Sequence, residues 1–225
     1  MSLAFLYIEF SKVLITKSEL SKERLGPKTK MKLVFATHNS KKLIEVREIL
    51  PTQFQIESLV DRHFHEEIIE DADTFNGNAL IKAKTIFDLF GESCFADDSG
   101  LVVPSLGGLP GVKSARYAND EGPVDHLANN LKLLDALKNE RDRSAYFITV
   151  ICLILKNGEI EYFEGRVEGT ISKSMQGDKG FGYDPIFIPN GYENTFAQLG
   201  AEIKNEISHR ARALNMMKDY LVEMI

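Results

Sequence analysis

Two long strand-like runs joined by a tight turn constrain the fold of this chain more than any other feature. Residues 145–155 are almost wholly apolar, which is typical of a strand that is covered on both faces. Asn157-Gly158 supplies residues that adopt the left-handed conformation of a tight hairpin turn, and residues 159–171 form the second run. The pattern predicts a long antiparallel strand pair.

Before this pair, strand-like and helix-like segments alternate along the chain. The predicted strands span 32–37, 54–59, 93–97 and 101–103, and the predicted helices follow Asn39 and span 74–90 and 124–138. A turn at Ser99-Gly100 is expected to separate the third and fourth strands, and the Gly- and Pro-rich segment 106–111 is expected to be a loop. Alternation followed by a hairpin favours an α/β fold with a mixed sheet.

Composition and charge narrow the classes of function. A chain of 225 residues, 44% hydrophobic and 27% charged, suits one large domain or one domain with two lobes. The net charge of −6 argues against a nucleic-acid partner, although a few local lysines suffice for an anionic small molecule. No apolar run approaches the roughly 18 residues of a membrane span, so no membrane partner is expected. The two cysteines form no disulfide framework and favour the cytoplasm.

The first thirty residues differ from the rest of the chain. Residues 3–8 are apolar but are followed by Glu9, and a Lys- and Ser-rich stretch then leads to Met31, where strand sequence begins. We expect residues 1–30 to be an N-terminal extension of unknown role and residues 31–225 to be the domain, with Met31 as one candidate for the natural start. A packed extra helix is the alternative for the extension.

A polar segment at a strand-to-helix junction is a candidate phosphate site. Free backbone N–H groups at a helix N-terminus and the positive end of the helix dipole bind anions. Lys41 and Lys42 add full charges in the first turn, where the dipole disfavours cations unless an anion compensates. The segment lacks the glycine patterns of phosphate-loop NTPases and of dinucleotide-binding folds. The candidate residues are Thr37, His38, Asn39, Ser40, Lys41 and Lys42.

Acidic residues cluster at two places. Asp97-Asp98 ends a predicted strand, and adjacent carboxylates at a strand end suit Mg²⁺, which bridges carboxylates and substrate phosphates. Residues 70–73 precede a predicted helix, where carboxylates are ordinary capping and dipole chemistry. Only the first cluster therefore indicates a metal site from its residues alone.

Two further polar islands complete the pattern. Residues 177–185 combine glycines, which let backbone approach a ligand closely, with the ring of Phe181 for stacking. Residues 204–210 place several donors and acceptors where an amphipathic helix begins, capped by Asn205 or Ser208. Polar islands of this kind in one short chain predict loops that converge on one site.

Read together, the islands resemble the inosine triphosphate pyrophosphatase family, which hydrolyses deaminated purine nucleoside triphosphates. The resemblance covers Met31 to the C-terminus, and the joint order and spacing of its motifs are highly specific. The motifs are Thr37-x-Asn39-x-x-Lys42, Glu70 with Thr74-Phe75-x-x-Asn78-Ala79, Ala96-Asp-Asp-Ser-Gly-Leu101, Leu106-Gly-Gly-x-Pro-Gly111, Ser114-Ala-Arg116, Gly180-Phe-Gly-Tyr-Asp-Pro185 and Lys204-x-x-x-Ser208-His-Arg210. The chain departs from the family pattern at His38, Gly77 and Asp178-Lys179.

The resemblance implies both a fold and an activity. The fold would be an elongated mixed β-sheet flanked by helices, with two lobes and a central groove that holds the site, in a homodimer. The activity would be hydrolysis of ITP, dITP or XTP to nucleoside monophosphate and pyrophosphate, with Mg²⁺ as the cofactor.

The resemblance also implies roles for many of the matched residues. Asn39, Lys42 and Lys82 would hold phosphates. Glu70 and Asp98 would coordinate Mg²⁺, and Asp98 would also activate the attacking water. Ser99 would touch the substrate, and Phe181 would stack on the purine. The remaining residues expected to bind the substrate, chiefly at the edge of the base, are Gly182, Tyr183, Asp184, Lys204, Ser208, His209 and Arg210.

Three alternatives remain at this stage. A pyrophosphatase for modified pyrimidine nucleotides, as in the related septum-inhibitor-like family, is disfavoured by the motif at 208–210. A catalytically silent nucleotide sensor is disfavoured by the retained carboxylates Glu70, Asp97 and Asp98. A nucleic-acid-binding module is disfavoured by the negative net charge.

Overall fold

A mixed sheet runs through the part of the chain that the computed structural model describes, residues 30–119 and 122–224. Its strands are β1 (Met31–Phe35), β2 (Phe54–Ser58), β3 (Cys94–Val102), β4 (Ser144–Ile154), β5 (Ile160–Ile171) and β6 (Phe187–Pro189). They lie in the order β2-β1-β3-β4-β5-β6; β1 pairs with β3 in parallel, and the pairs from β3 to β6 are antiparallel. The predicted α/β class with a mixed sheet is confirmed. Residues 1–29 lie outside the described part of the chain, so the predictions for the N-terminal extension stay predictions.

The long hairpin predicted from sequence is β4 and β5. The pairing runs from Ser144 opposite Thr170 to Ile154 opposite Ile160, and Gly158 takes a positive φ of 87° in the turn. The second half of β4 is buried on both faces, whereas β5 alternates buried and exposed residues. The apolar run and the alternating run thus differ because β4 lies in the middle of the sheet with cover on both sides.

The third predicted strand is longer than expected, and the predicted turn at Ser99-Gly100 is wrong. β3 continues through both residues, which pair with Thr149 and Ile148 on β4. A Cβ atom at position 100 would lie 2.4 Å from the carbonyl oxygen of Gly111. The glycine is needed for this close approach of neighbouring backbone rather than for a turn.

Helices flank the sheet, and the four longest lie where the sequence predicts them. They are α1 (Ser40–Ile49), α2 (Phe75–Phe90), α3 (His126–Ala136), α4 (Phe196–Leu199), α5 (Ala201–Ile207) and α6 (His209–Glu223). The short helices α4 and α5 are additional to the prediction. Short 3₁₀ turns at Pro104–Leu106 and Gly111–Arg116 lie on either side of the segment expected to be a loop. The side chains of Asn39 and Thr74 cap α1 and α2. None of the helices in the described ranges combines the length and the apolar character that a bilayer span requires.

The polar segment at 204–210 spans a break between two helices. Ser208 ends α5 in an extended conformation, and its Oγ accepts a hydrogen bond from the backbone N–H of Ala211, which caps α6. Of the two expected caps, Ser208 therefore is the one used, while Asn205 lies inside α5. The break turns Lys204 and Arg210 toward the same buried space.

Two apolar clusters occupy opposite ends of β3 and β4. One includes residues from the start of β3 and the end of β4, and the other includes residues from the end of β3 and the start of β4. Representative members are Cys94, Ala96, Cys152 and Ile154 in the first cluster and Leu101, Val103, Ala145 and Phe147 in the second. The polar residues of the middle of β3 lie between the clusters and line a cavity.

Candidate active site

A cavity of about 580 Å³ is lined by residues of both apolar clusters. The volume falls in the range of small-molecule sites, roughly 300–1,000 Å³. Fifteen of the eighteen residues expected to form the site line this cavity: Thr37, His38, Asn39, Lys42, Glu70, Lys82, Asp98, Ser99, Phe181, Gly182, Tyr183, Asp184, Lys204, His209 and Arg210. The fold therefore brings the separate polar islands of the sequence together.

The N-terminus of α1 forms one wall of the cavity. Asn39 Oδ1 accepts hydrogen bonds from the backbone N–H groups of Lys41 at 3.0 Å and Lys42 at 3.2 Å. Thr37 Oγ1 accepts a bond from the backbone N–H of Asn39 at 3.1 Å, and His38 Nε2 lies 3.0 Å from a carbonyl oxygen outside this turn. These caps fix the first turn and hold Lys42 at the cavity.

Asp97 is the acceptor on which several cations converge. Its carboxylate lies 3.0 Å from Lys42 Nζ and 3.1 Å from the Arg210 guanidinium, and it accepts a bond from Ser99 Oγ at 2.9 Å. Burial alone would raise the pKa of Asp97, but Lys42, Arg210 and Lys82 outweigh burial and hold that pKa well below its usual range. Asp97 is therefore a permanently charged anchor.

Lys42 shows the complementary effect. Burial lowers the pKa of Lys42, and the nearby charges of Lys82 and Arg210 lower it further, although Asp97 opposes them. An added anion at this position would stabilise the charged form of Lys42. The electrostatics thus support the phosphate-binding role expected for this lysine.

Asp98 lies on the opposite face of β3 and meets α2. It accepts hydrogen bonds from Asn78 Nδ2 at 3.2 Å and from the backbone N–H of Ser99 at 3.0 Å, and Lys82 Nζ lies 3.7 Å away. Burial raises the pKa of Asp98; Lys82 opposes this shift, whereas Glu70 adds to it. Unlike Asp97, this carboxylate is held toward its proton-accepting range.

Glu70 and Asp98 share the ammonium group of Lys82, which bonds to Glu70. Burial would lower the pKa of Lys82, but Asp98 and Glu70 raise it above its usual value. Two carboxylates on one cation form a site that suits a divalent ion, because Mg²⁺ uses one or two protein carboxylates and takes its other ligands from phosphates and water. Among the described residues, no group of three or more acidic, His or Cys side chains could hold a metal by itself. The residues present fit Mg²⁺ that is bound together with a phosphate substrate.

The far end of the cavity is built on Phe181, Asp184 and Lys204. Asp184 Oδ2 accepts hydrogen bonds from Lys204 Nζ at 2.7 Å and from the backbone N–H of Phe181 at 2.8 Å. Lys204 Nζ lies 4.4 Å from the centroid of the Phe181 ring, and the guanidinium carbon of Arg210 lies 5.8 Å from it. The ring is therefore held over cations at the cavity, where a planar base could stack on it.

His209 is buried and stacks on Phe147, with ring centroids 4.6 Å apart. Burial, Arg210 and Lys204 lower the pKa of His209 well below its usual value, so the ring is neutral. Among the described residues its Nδ1 has no hydrogen-bond partner. A buried ring nitrogen without a partner at a cavity is free to bond to a ligand.

Comparison with known proteins shows the family of this chain. The model of the Ham1 family matches residues 33–220. The chain belongs to the Ham1 family. It is 49% identical over 191 residues to the dITP/XTP pyrophosphatase of Christiangramia forsetii, and the alignment covers 85% of this chain and 99% of that relative. It is 48% identical over 192 residues to the dITP/XTP pyrophosphatase of Porphyromonas gingivalis, and that alignment covers 85% of this chain and 97% of the relative.

Solved structures of Ham1 proteins have the same fold. The Staphylococcus aureus Ham1 protein superimposes with a TM-score of 0.78 at 36% identity and covers 86% of this chain and all of its own. A dITP/XTP pyrophosphatase from Mycobacterium abscessus gives 0.68 at 41% identity, covering 83% of this chain and 98% of its own. The resemblance read from the sequence is confirmed at the level of family and fold.

Three of the expected site residues do not line the cavity of this Ham1-family chain. Ser40 is exposed as the first residue of α1, and the hydroxyl of Ser208 caps α6. Lys41 Nζ donates to the carbonyl oxygen of Gly180 at 3.4 Å, which links α1 to the loop that carries Phe181. Their expected contacts with a substrate stay predictions.

The structure adds contacts at the site that sequence reasoning did not predict. Glu45 on α1 accepts bonds from both Lys204, at 3.0 Å, and Arg210. Asn78 holds Asp98, and Phe147 carries His209. Glu45 follows Lys42 by three positions, so a charged residue on the inner face of α1 was the available signal.

Glu45 links Lys204 and Arg210 in the larger of two ion-paired groups, and Lys82 with its two carboxylates forms the smaller group. We call the two groups together the inner ion network. Its cations each contact at least one of its carboxylates within 4 Å. The network consists of Lys42, Lys82, Lys204 and Arg210 with Glu45, Glu70, Asp97, Asp98 and Asp184. Its four cations face five carboxylates, so when every group is charged it is negative by one.

Proposed function

We propose that this protein hydrolyses the deaminated purine nucleoside triphosphates ITP, dITP and XTP to nucleoside monophosphate and pyrophosphate, with Mg²⁺. The observation that carries the proposal is one cavity lined by Lys42, the Glu70–Lys82–Asp98 group and the ring of Phe181. Such a cavity can bind phosphate, activate water and stack a base. Relatives whose names state dITP/XTP pyrophosphatase activity support the same substrate class.

The phosphate end would be bound by α1. Asn39 fixes the first turn, and Lys42 supplies a cation whose charged form a phosphate would stabilise. Lys82 would add a second positive group next to the reacting phosphate. These residues would position the triphosphate group and neutralise its charge, which is the main contribution of a protein to phosphoryl transfer.

The catalytic step would place Asp98 as the general base. A water molecule attacks the α-phosphorus and transfers its proton to an Asp98 carboxylate oxygen, while the bond to the pyrophosphate leaving group breaks. Burial raises the pKa of Asp98, which brings it closer to the range in which a base works well near neutral pH. Mg²⁺, when held by Glu70 and Asp98, would supply Lewis-acid charge neutralisation on the phosphates.

The base end would select a 6-oxo purine. Phe181 provides a stacking surface, and the neutral ring of His209 has a buried nitrogen that needs a partner. Lys204 and Arg210 are already bound to carboxylates, so they shape the pocket as well as polarise it. A pocket of buried polar groups discriminates strongly against a base that leaves those groups unpaired, as the 6-amino group of adenine would.

The remaining expectations are part of the same proposal. We expect a homodimer in the cytoplasm, with the catalytic domain at residues 31–225 and residues 1–30 as an extension peripheral to the chemistry. The buried free thiols of Cys94 and Cys152 are compatible with a reducing compartment. Sedimentation of the full chain and of a variant that begins at Met31 tests the dimer and the extension together.

A nucleotide panel tests the reaction. The protein is incubated with ITP, XTP, dITP, ATP and a modified pyrimidine triphosphate, with and without Mg²⁺, and pyrophosphate is resolved from orthophosphate. We expect monophosphate and pyrophosphate from the deaminated purines only in the presence of the divalent ion. Release of orthophosphate with a diphosphate product, or preference for the pyrimidine nucleotide, would contradict the proposal.

A further inference from the structure

An exposed ion pair joins two segments that line the mouth of the cavity. Arg116 Nη2 lies 2.6 Å from Glu67 Oε1, and the side chains are 47% and 77% exposed. Both residues line the cavity and lie outside the inner ion network. An exposed pair of this kind contributes little to stability, roughly 0–1 kcal/mol, so its two charges are available for exchange.

The turn that carries Arg116 is held more firmly than its side chain. Ser114 Oγ donates to the carbonyl oxygen of Gly111 at 2.6 Å and accepts from the backbone N–H of Leu101 at 2.8 Å. Tyr183 Oη donates to the carbonyl oxygen of Ser114 at 2.9 Å, and Asn129 Nδ2 donates to that of Ala115 at 2.8 Å. A fixed backbone thus presents an exposed arginine at the opening.

The charge balance of the cavity requires further cations for a triphosphate. The inner ion network is already negative by one, and each of its cations is bound to a carboxylate. Mg²⁺, when held by Glu70 and Asp98, would offset part of their negative charge. Arg116, with Lys113 three residues earlier on the same turn, supplies positive charge on the other wall of the cavity.

We propose that Arg116 binds the β- and γ-phosphates of the substrate, the part that leaves as pyrophosphate, and that these phosphates displace Glu67 from its guanidinium. The inference rests on the proposed function and extends it to a phosphate-binding residue and a competing carboxylate. A guanidinium suits this exchange because it bonds to carboxylate and phosphate with the same two-pronged geometry. Glu67 keeps the arginine in place until the substrate arrives.

The test measures binding of ligands that share different parts of the substrate. Affinities for inorganic pyrophosphate and for IMP, both with Mg²⁺, are measured by calorimetry on the wild-type protein and on Arg116→Ala, Arg116→Lys and Glu67→Gln. Arg166→Ala is the matched control, since Arg166 is 45% exposed, pairs with Glu168 at 2.5 Å and does not line the cavity.

We expect Arg116→Ala to weaken pyrophosphate binding about tenfold or more, because a hydrogen-bonded charge pair is lost, and to leave IMP binding unchanged. Arg116→Lys should lose less, and Arg166→Ala should lose nothing. Glu67→Gln should bind pyrophosphate more tightly than the wild type, because the competing carboxylate is gone.

Three results would overturn the inference: unchanged pyrophosphate binding in Arg116→Ala, equal weakening for IMP and pyrophosphate, or weaker pyrophosphate binding in Glu67→Gln. The last would show that the pair acts only as a structural link. Pyrophosphate binding requires no turnover, so a failure of the proposed reaction in the nucleotide panel is distinguishable from a failure of this assignment.

Discussion

The two faces of β3 carry neighbouring aspartates whose pKa values are shifted in opposite directions. On one face, Asp97 contacts Lys42 and Arg210, and its pKa is held well below the usual range. On the other face, Asp98 contacts Asn78 and Lys82, and its pKa is raised. Successive residues of a strand point to opposite sides, so one step in sequence places the second carboxylate in a different environment.

The difference teaches that adjacency in sequence does not make the two carboxylates equivalent ligands. Asp97 has strong partners on both oxygens and holds α1 and α6 on the sheet. Asp98 has one cation at 3.7 Å and an amide, so it retains capacity for a proton or a metal ion. We therefore assign the structural role to Asp97 and the chemical role to Asp98.

The largest expected effect is on turnover when Asp98 is changed. Asp98→Asn removes the proton acceptor but keeps the size of the side chain, so kcat for ITP should fall about 10²–10⁴-fold, the usual contribution of a general base. Steady-state kinetics with denaturant unfolding as a folding check measures this. Asp88→Asn, an exposed carboxylate on α2, is the control and should behave as the wild type. Near-normal turnover of a folded Asp98→Asn protein would transfer the role to Asp97.

The next effect concerns stability on the other face. Asp97→Asn leaves the buried Arg210 and the half-buried Lys42 with less compensating charge, and loss of one partner from a buried ion pair destabilises by about 3–5 kcal/mol. Urea unfolding should show this decrease in the free energy of unfolding, whereas Asp98→Asn should lose clearly less. If the two variants lose equal stability, the contrast between the faces is wrong.

The smallest expected effect is a change in pH dependence. His209 lies among the cations on the Asp97 face, and its pKa is lower in the folded than in the unfolded protein, which protonates near about pH 6.5. The free energy of unfolding is therefore at its full value above that pH, where His209 is neutral in both states. It decreases as the pH falls further, by up to about 1.4 kcal/mol per pH unit. His209→Phe keeps the stack on Phe147 and should flatten this slope between pH 6.5 and 5. An unchanged slope would mean that His209 does not titrate in this way.

Sequence reasoning was most reliable where the signal is local. Periodicity and capping residues located α1, α2 and the β4–β5 hairpin to within a few residues. Gly100 was misread because a glycine that permits close packing looks the same in sequence as a glycine in a turn. The short helix α5 was not predicted as a separate element, because Ile207 lies four residues before the buried Ala211 and so continues the apolar spacing of α6.

The sequence predicted most of the residues that line the cavity, but it did not predict which of them pair with each other. Motif order identified the residues that line the cavity, yet nothing in the spacing shows that Glu45 binds both Lys204 and Arg210, or that Lys82 lies between Glu70 and Asp98. Such contacts join residues that are far apart in sequence and depend on how α1, α2 and α6 pack on the sheet. The predictions for residues 1–30 stay predictions, because residues 1–29 lie outside the described part of the chain.

The central claim is that water attacks the α-phosphorus of the substrate, and the position of the solvent oxygen in the products tests it most directly. ITP is hydrolysed by the full chain with Mg²⁺ in water enriched in oxygen-18, and the two products are separated and weighed by mass spectrometry. The account predicts the label in inosine monophosphate and none in pyrophosphate. Label in pyrophosphate or in orthophosphate would place the attack at another phosphorus and would contradict the assignment of the site.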